Sequence, residues 1–382
     1  MGLIYLDNAA TSWPKPRCTV QAMARALEES GANPGRAGHR LSLEAGRIVE
    51  RCRQALADML GETDASRVAF AQNATDALNM AIHGAVRTGD HVVSTLIEHN
   101  SVLRPLSELA RSGVITLTLV PPAADGRMDA REIERALTAR TRLVAMTHTS
   151  NVLGLEQDVA AVGAVCRRRG VLFLVDAAQT AGHLPIDFSA LHLSALAVPG
   201  HKGLLGPGGT GALLLRDELA QRLTPLTAGG TGSASDSEYL PDYLPDKFES
   251  GTANLPGYYG WEAALRFVEE TGVPALREHE MALCSRFLQG LEDIPHVRLC
   301  GTRDLSRRVG VISVDFLRRD NAEAAYALET EYSILTRCGL HCAPSAHRTL
   351  GTFPQGTVRF SLGFASTEAD VDAALHAIRA LA

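Results

Sequence analysis

Short apolar runs separated by amphipathic stretches alternate through the first two-thirds of the chain. Runs at 68–71, 91–96, 114–120, 143–147, 171–175, 193–198 and 211–215 predict strands. Between them, 75–86, 101–111, 129–137 and 159–169 predict helices. Apolar runs of this length, bounded by helices, predict a parallel sheet covered on both faces. Ligands of such sheets bind beyond the carboxyl ends of the strands, so the chemistry is expected there. The pattern breaks at 228–246, where Gly229-Gly230-Thr231-Gly232-Ser233 and two prolines predict a long loop. Helices at 257–270 and 274–291 follow. A strand (309–315), a helix (322–331), a strand (357–362) and a helix (367–381) then predict a smaller α/β domain from residue 256 onward. No internal repeat interrupts this order.

The 382 residues are 46% hydrophobic and 21% charged, which supplies a large core and excludes disorder as the main state. At ~150 residues per domain, the length suits two domains. No apolar run approaches the ~20 residues of a membrane span. The opening Met1-Gly2-Leu3-Ile4-Tyr5-Leu6-Asp7 lacks the basic start and apolar core of a secretory signal, so a cytoplasmic protein with no membrane partner is expected. Net charge is −6 with no basic block, so no nucleic-acid partner is expected, and Arg167-Arg168-Arg169 reads as a solvated helix end. Seven cysteines without a Cys-x-x-Cys pair predict free thiols, most of them buried, and no metal. Lys15, Lys202 and Lys247 are the three lysines among 37 basic residues, which limits any lysine-dependent chemistry to three candidates.

The polar clusters fall just after the predicted strands. Lys202 stands in Pro199-Gly200-His201-Lys202-Gly203, a glycine-dense turn that would let a ligand approach the backbone. A desolvated lysine there is nucleophilic and can form an imine, although a surface lysine on a turn is the plainer reading. Asp176 ends an apolar strand, where a carboxylate is costly unless paired with a cation such as a protonated pyridine nitrogen. Helix capping would also explain it. Asn73-Ala74-Thr75 marks a strand-to-helix junction whose free N–H groups suit a phosphate, with capping again the plainer role. His99, in Glu98-His99-Asn100, could stack on a flat ring or move protons. Asn151 follows the strand ending near Thr147. Together these are the parts of a pyridoxal phosphate site.

On these residues the chain resembles the class V aminotransferase family of fold type I enzymes, and within it the cysteine desulfurase-like proteins. The resemblance is carried by Tyr5-Leu6-Asp7-Asn8-Ala9-Ala10-Thr11, Asn73-Ala74-Thr75-Asp76-Ala77, Glu98-His99-Asn100, Ser150-Asn151-Val152-Leu153-Gly154 and Val175-Asp176-Ala177-Ala178-Gln179. It continues through Gly200-His201-Lys202, Phe248-Glu249-Ser250-Gly251-Thr252, the segment from Arg337 to Pro344, and Val358-Arg359-Phe360-Ser361.

The resemblance implies a large domain of residues 15–255 with a mostly parallel seven-stranded sheet. A smaller α/β domain of 256–382 would be completed by 1–14. It implies pyridoxal 5'-phosphate as cofactor, bound covalently by Lys202, which also shuttles protons. Asp176 would pair with the pyridine nitrogen, Gln179 would meet the ring hydroxyl, and His99 would stack on the ring and take part in catalysis. Ala74, Thr75 and His201 would hold the phosphate, with Thr252 reaching across from the second subunit of a homodimer that shares its active sites. Asn151, Arg359 and Arg337 would serve the substrate, and Arg337 or His341 could favour the thiolate of the nucleophile, Cys342. The implied reaction converts L-cysteine to L-alanine, leaves sulfur on Cys342 as a persulfide and passes it to an acceptor protein. Two departures from the family pattern stand out: Pro199 replaces a frequent phosphate-binding serine, and Ala343-Pro344-Ser345-Ala346-His347 follows Cys342.

The rival readings on the same scaffold are a selenocysteine lyase acting on L-selenocysteine, another C–S or C–Se lyase, and an aminotransferase. A cofactor-binding protein without turnover is the rival from another class.

Overall fold

The computed structural model describes residues 2–34 and 38–382. In chain order the first elements are β1 (Ile4–Tyr5), α1 (Arg17–Glu29), α2 (Arg40–Leu60), β2 (Val68–Ala71), α3 (Ala74–Ala85), β3 (Asp90–Thr95) and α4 (Asn100–Arg111). Next come β4 (Ile115–Val120), α5 (Ala130–Ala136), β5 (Thr141–Thr147), α6 (Val159–Arg169), β6 (Leu172–Asp176), β7 (Ala195–Pro199), β8 (Gly211–Leu215) and α7 (Asp217–Ala220). The remainder is α8 (Leu255–Thr271), α9 (Val273–Glu292), β9 (Val297–Cys300), β10 (Val311–Phe316), α10 (Asn321–Tyr332), β11 (Ile334–Leu335), β12 (Arg337–Gly339), α11 (Pro344–Leu350), β13 (Thr357–Ser361) and α12 (Glu368–Leu381). The strands and helices expected after residue 67 are present. The hydrophobic pattern predicts no element before Val68, where α1 and α2 form. In α2, Ala45, Ile48, Cys52, Leu56 and Leu60 make a buried stripe at helical spacing.

The larger sheet has strand order β2-β8-β7-β6-β5-β3-β4. β8 runs antiparallel to both neighbours and the other strands run parallel to one another. Its strands alternate between two cores. Phe173 and Val175 of β6 join the core containing α2, α6 and α8, while Leu172 and Leu174 pack on the opposite face with α3. Burial of both faces explains why the strands read as continuous apolar runs. The shared direction brings the carboxyl ends of β2, β3, β5, β6 and β7 to one edge.

The second sheet has order β12-β13-β10-β9 and is antiparallel throughout. Leu6, Phe287, Val314, Phe360 and Ile378 belong to its core. The chain start joins this half, since β1 pairs with β11 and the Ser361 N–H donates to the Leu6 carbonyl at 2.7 Å. Helix α8 packs through Tyr258, Trp261 and Leu265 into the core of the larger sheet. Among the described residues, no helix is long and apolar enough to cross a membrane.

Candidate active site

A cavity of about 190 Å³ opens at the carboxyl edge of the larger sheet, lined by Ala74, Thr75, His99, Asn151, Asp176, Gln179, His201, Lys202, Arg337 and Arg359. The expected residues therefore converge, apart from Cys342 and Thr252. Cys342 joins through Arg337, whose Nη2 lies 3.5 Å from its Sγ. Thr252 lies apart, in a groove of about 1410 Å³ lined also by Arg51 and Tyr258. Its segment is anchored by Glu249, which accepts from Arg53 Nη1 and Nη2 at 2.6 and 3.0 Å and from the Phe70 N–H at 2.7 Å.

Lys202 follows β7. Its stem keeps some exposure to the cavity, its amine is enclosed by protein, and burial pushes its pKa down to about 8 against the pull of Asp176. The glycines around it answer to packing. A Cβ on Gly200 would stand 2.1 Å from Thr210 Oγ1, one on Gly203 would stand 2.4 Å from the Ala181 carbonyl oxygen, and one on Gly206 would stand 2.5 Å from Trp261. Close packing against these protein atoms therefore dictates glycine there, rather than the expected ligand approach.

Asp176 terminates β6. Its Oδ1 accepts from the Ala178 N–H at 2.9 Å, and burial pushes its pKa up. Asn73 caps α3 by accepting from the Asp76 N–H at 2.9 Å, so the capping role and an open helix N-terminus coexist. His99 caps α4 by accepting from the Ser101 N–H at Nδ1, 3.0 Å away. That bond leaves the ring proton on Nε2. Burial and the nearby Lys202, Arg337 and Arg359 hold His99 down at about 4, so the ring is neutral. Burial likewise holds His201 at about 4.

Gln179 Nε2 donates to the Ala9 carbonyl at 3.0 Å, and Asn151 Nδ2 donates to the His341 carbonyl at 2.7 Å. Arg359 is buried, and its Nη2 donates to Asp7 Oδ1 at 2.7 Å while its Nη1 donates to the Asn151 carbonyl at 3.4 Å. Among the described residues its buried Nε has no partner.

His341 and Cys342 have φ of 49° and 58°, a left-handed region costly for side-chain-bearing residues. Outside donors hold both carbonyls: Asn151 Nδ2 on that of His341, and the Asn100 N–H on that of Cys342 at 2.7 Å. Burial pushes His341 down to about 2, so it is neutral, and Arg337 alone of the two suggested residues brings positive charge to the sulfur. Cys52, Cys166, Cys284 and Cys300 are buried, and Cys338 is exposed.

Three contributors escaped the sequence reading. Ser101 Oγ lies 2.7 Å from Thr75 Oγ1 and 2.8 Å from His99 Nδ1, inside the cavity wall. Glu98 is fully buried, and burial with the nearby Asp176 pushes it up to about 8, so it carries a proton at neutral pH. Its signal was the one used for Asp176, an acid directly after an apolar run. The third is residues 7–15, which reach the site through Asp7, Ala9 and Lys15.

This donor set fits pyridoxal phosphate. A buried amine near its free-base range can meet the aldehyde, and a desolvated carboxylate can meet a cationic ring nitrogen. An open helix start with hydroxyls can meet the phosphate, and a neutral imidazole borders the space between.

Site and fold together define an α/β enzyme with a buried lysine at a strand end. The family model described as Aminotransferase class-V matches residues 4–374, and the chain belongs to that family of pyridoxal phosphate enzymes. It is 34% identical over 372 residues to a probable cysteine desulfurase of Methanothermobacter thermautotrophicus, covering 96% of this chain and 92% of that one. The apo structure of a cysteine desulfurase from Thermococcus onnurineus superposes with a TM-score of 0.93 at 33% identity, covering 99% of this chain and 94% of that one. The cysteine desulfurase CsdA of Escherichia coli superposes with a TM-score of 0.89 at 28% identity, covering 99% and 94%.

Proposed function

We propose that the chain is a pyridoxal phosphate-dependent cysteine desulfurase that converts L-cysteine to L-alanine and retains the sulfur on Cys342. The reading is carried by the approach of a thiol to an amine-bearing cavity: Cys342 stands 3.5 Å from Arg337, which lines the cavity together with Lys202.

When bound, pyridoxal phosphate supplies a carbonyl for amines and an electron-withdrawing ring that acidifies the substrate α-carbon. Lys202 binds the cofactor, takes the α-proton at Nζ and returns it to the product. Asp176 would hold the ring nitrogen, Gln179 would meet the ring hydroxyl and His99 would cover the ring. The α3 N–H groups at Ala74 and Thr75, with His201 and Ser101, would hold the phosphate, and Ser101 would then answer the departure at Pro199. Arg359 receives the substrate carboxylate with Asn151 and Arg337 beside it.

Cys342 acts as a thiolate because the thiol is a poor nucleophile. Its sulfur attacks the substrate sulfur, an S–S bond forms, and the Cβ–S bond breaks with its electron pair going to carbon. Protonation of that carbon yields the methyl group of alanine, and the enzyme keeps the persulfide for an acceptor protein.

The proposal includes a cytoplasmic homodimer. The separation of Thr252 from its own Lys202 cavity supports Thr252 serving the partner's phosphate. It also includes domains of 15–255 and 256–382 with 1–14, where α8 is the element shared with the larger core.

Incubation with L-cysteine or L-selenocysteine, with and without reductant, tests the reading. Alanine with sulfide, dependent on Cys342, is expected; pyruvate with ammonia, or a keto acid, would replace it with a β-lyase or an aminotransferase. Selenide release without cysteine turnover would favour the selenocysteine lyase.

A further inference from the structure

Residues 7–15 run past the site and touch it at three points. Asp7 pairs with Arg359, and the Ala9 carbonyl receives Gln179. The third contact is the densest. The carbonyl of His201, in the peptide that leads into Lys202, accepts from the Ser12 N–H at 3.0 Å, Thr11 Oγ1 at 3.1 Å, Ser12 Oγ at 3.2 Å and Lys15 Nζ at 2.9 Å. A carbonyl oxygen has two lone pairs, so four converging donors saturate it. The ammonium is the strongest of them, because its hydrogen bond is charge-assisted. Lys15 Nζ also donates to Ser12 Oγ at 2.7 Å, which ties two of the donors together. Burial lowers its pKa to about 8, and among the described residues no carboxylate counters that shift. The chain therefore desolvates one of its three lysines to hold a single backbone oxygen.

The turn it holds cannot stiffen itself. Gly200 and Gly203 flank His201 and Lys202, and glycine leaves the backbone freer than any other residue. Packing forbids a Cβ at either position, so rigidity has to come from outside the turn. A peptide unit is planar, so holding its carbonyl also sets the direction in which the next Cα leaves.

We propose, on the reading of Lys202 given above, that Lys15 is a positioning residue for Lys202. With Thr11 and Ser12, its ammonium locks the plane of the His201–Lys202 peptide and aims the Lys202 amine into the cavity. There Lys202 shares the cavity wall with Asp176, Arg337 and Arg359. With the clamp released, the amine samples solvent and drifts back toward ordinary lysine basicity.

Because the chain has three lysines, competitive acylation read by peptide mass spectrometry titrates each amine separately on the full chain freed of cofactor. Lys15→Met is expected to raise the pKa of Lys202 by about one unit, which is about tenfold less free amine at neutral pH. Condensation of Lys202 with added pyridoxal phosphate should slow by the same factor. Lys15→Arg, which keeps the charge and the donors, should stay within about twofold of the parent. Lys247→Met is the control: Lys247 donates to the Ala220 carbonyl and pairs with Asp242, and its loss should leave Lys202 unchanged. If Lys15→Met does not fold, the Thr11→Val, Ser12→Ala double variant removes two donors and should shift Lys202 in the same direction. An unchanged titration and condensation rate for Lys202, even with a lowered melting temperature, would overturn the proposal. The acylation is read without cofactor, so it stands apart from the proposed activity. That activity fails instead if borohydride fixes the cofactor to a lysine other than Lys202.

Discussion

The Arg337 guanidinium lies 3.5 Å from the Cys342 sulfur, across a loop whose backbone is left-handed at both His341 and Cys342. The strand β12 fixes Arg337 opposite Arg359 on β13, while Asn100 and Asn151 hold the loop carbonyls. The thiol is thus held beside Arg337, a residue of the cavity wall, by a backbone that neighbouring elements impose on it.

Cys342→Ala should abolish persulfide formation from L-cysteine and leave the visible absorbance of the bound cofactor intact. Cys338 is exposed on the edge strand β12, and Cys338→Ala should retain most of the activity. Mass spectrometry after one turnover decides between them. A persulfide on Cys338 in Cys342→Ala, with turnover preserved, would assign the chemistry to the other thiol.

In the proposed reaction Lys202 acts as the free amine, so its depressed pKa sets a pH dependence. Condensation with the cofactor should rise with pH, level off above about 8, and disappear in Lys202→Ala. At pH 7.5 about a quarter of such an amine is free, against about one in a thousand for an ordinary lysine. A rate still climbing tenfold per unit at pH 9 would show that the amine is not desolvated.

Arg359→Ala should raise KM for L-cysteine by about a hundredfold, the loss of about 2.7 kcal/mol of charged contact. Asp7→Asn keeps the shape but removes the charge facing a buried guanidinium. It should lower stability by about 1–3 kcal/mol, read from denaturant midpoints.

The lysine turn should not tolerate a methyl group. Gly203→Ala places a Cβ 2.4 Å from both the Ala181 carbonyl oxygen and the His183 ring. A cost of about 2–3 kcal/mol is expected from overpacking. Gly208→Ala meets nothing within 4 Å and should be nearly neutral in thermal melts.

His148, His341 and His347 are buried, with pKa values pushed down to about 4, 2 and 4. The unfolded chain takes up these protons near pH 6.5 and the folded chain does not. The stability they contribute is therefore present above pH 6.5 and lost as pH falls toward 4. Each contributes a slope of about 1.4 kcal/mol per pH unit in that window. Denaturant midpoints between pH 7 and 4.5 should show it, and His347→Gln should flatten the slope by about one proton's share.

Much of this protein was legible along the chain because its signals are local. Buried strands read as apolar runs, and the carboxyl ends of parallel strands are consecutive punctuation marks. Asp176, Lys202, His99 and Thr75 each follow an apolar run closely enough to be placed at a strand end from sequence alone. The family motifs then selected Arg359 and Cys342.

Tertiary structure decided what depends on distant partners. The four donors on the His201 carbonyl come from residues 186–190 positions away, which no periodicity encodes. Whether His341 carries charge was set by its burial next to Arg359, and the reason for Gly200 was Thr210 rather than a ligand. Helix formation and strand alternation are properties of neighbours in sequence. Desolvation, charge state and close approach belong to neighbours in space, and these determine what the lysine and the thiol can do.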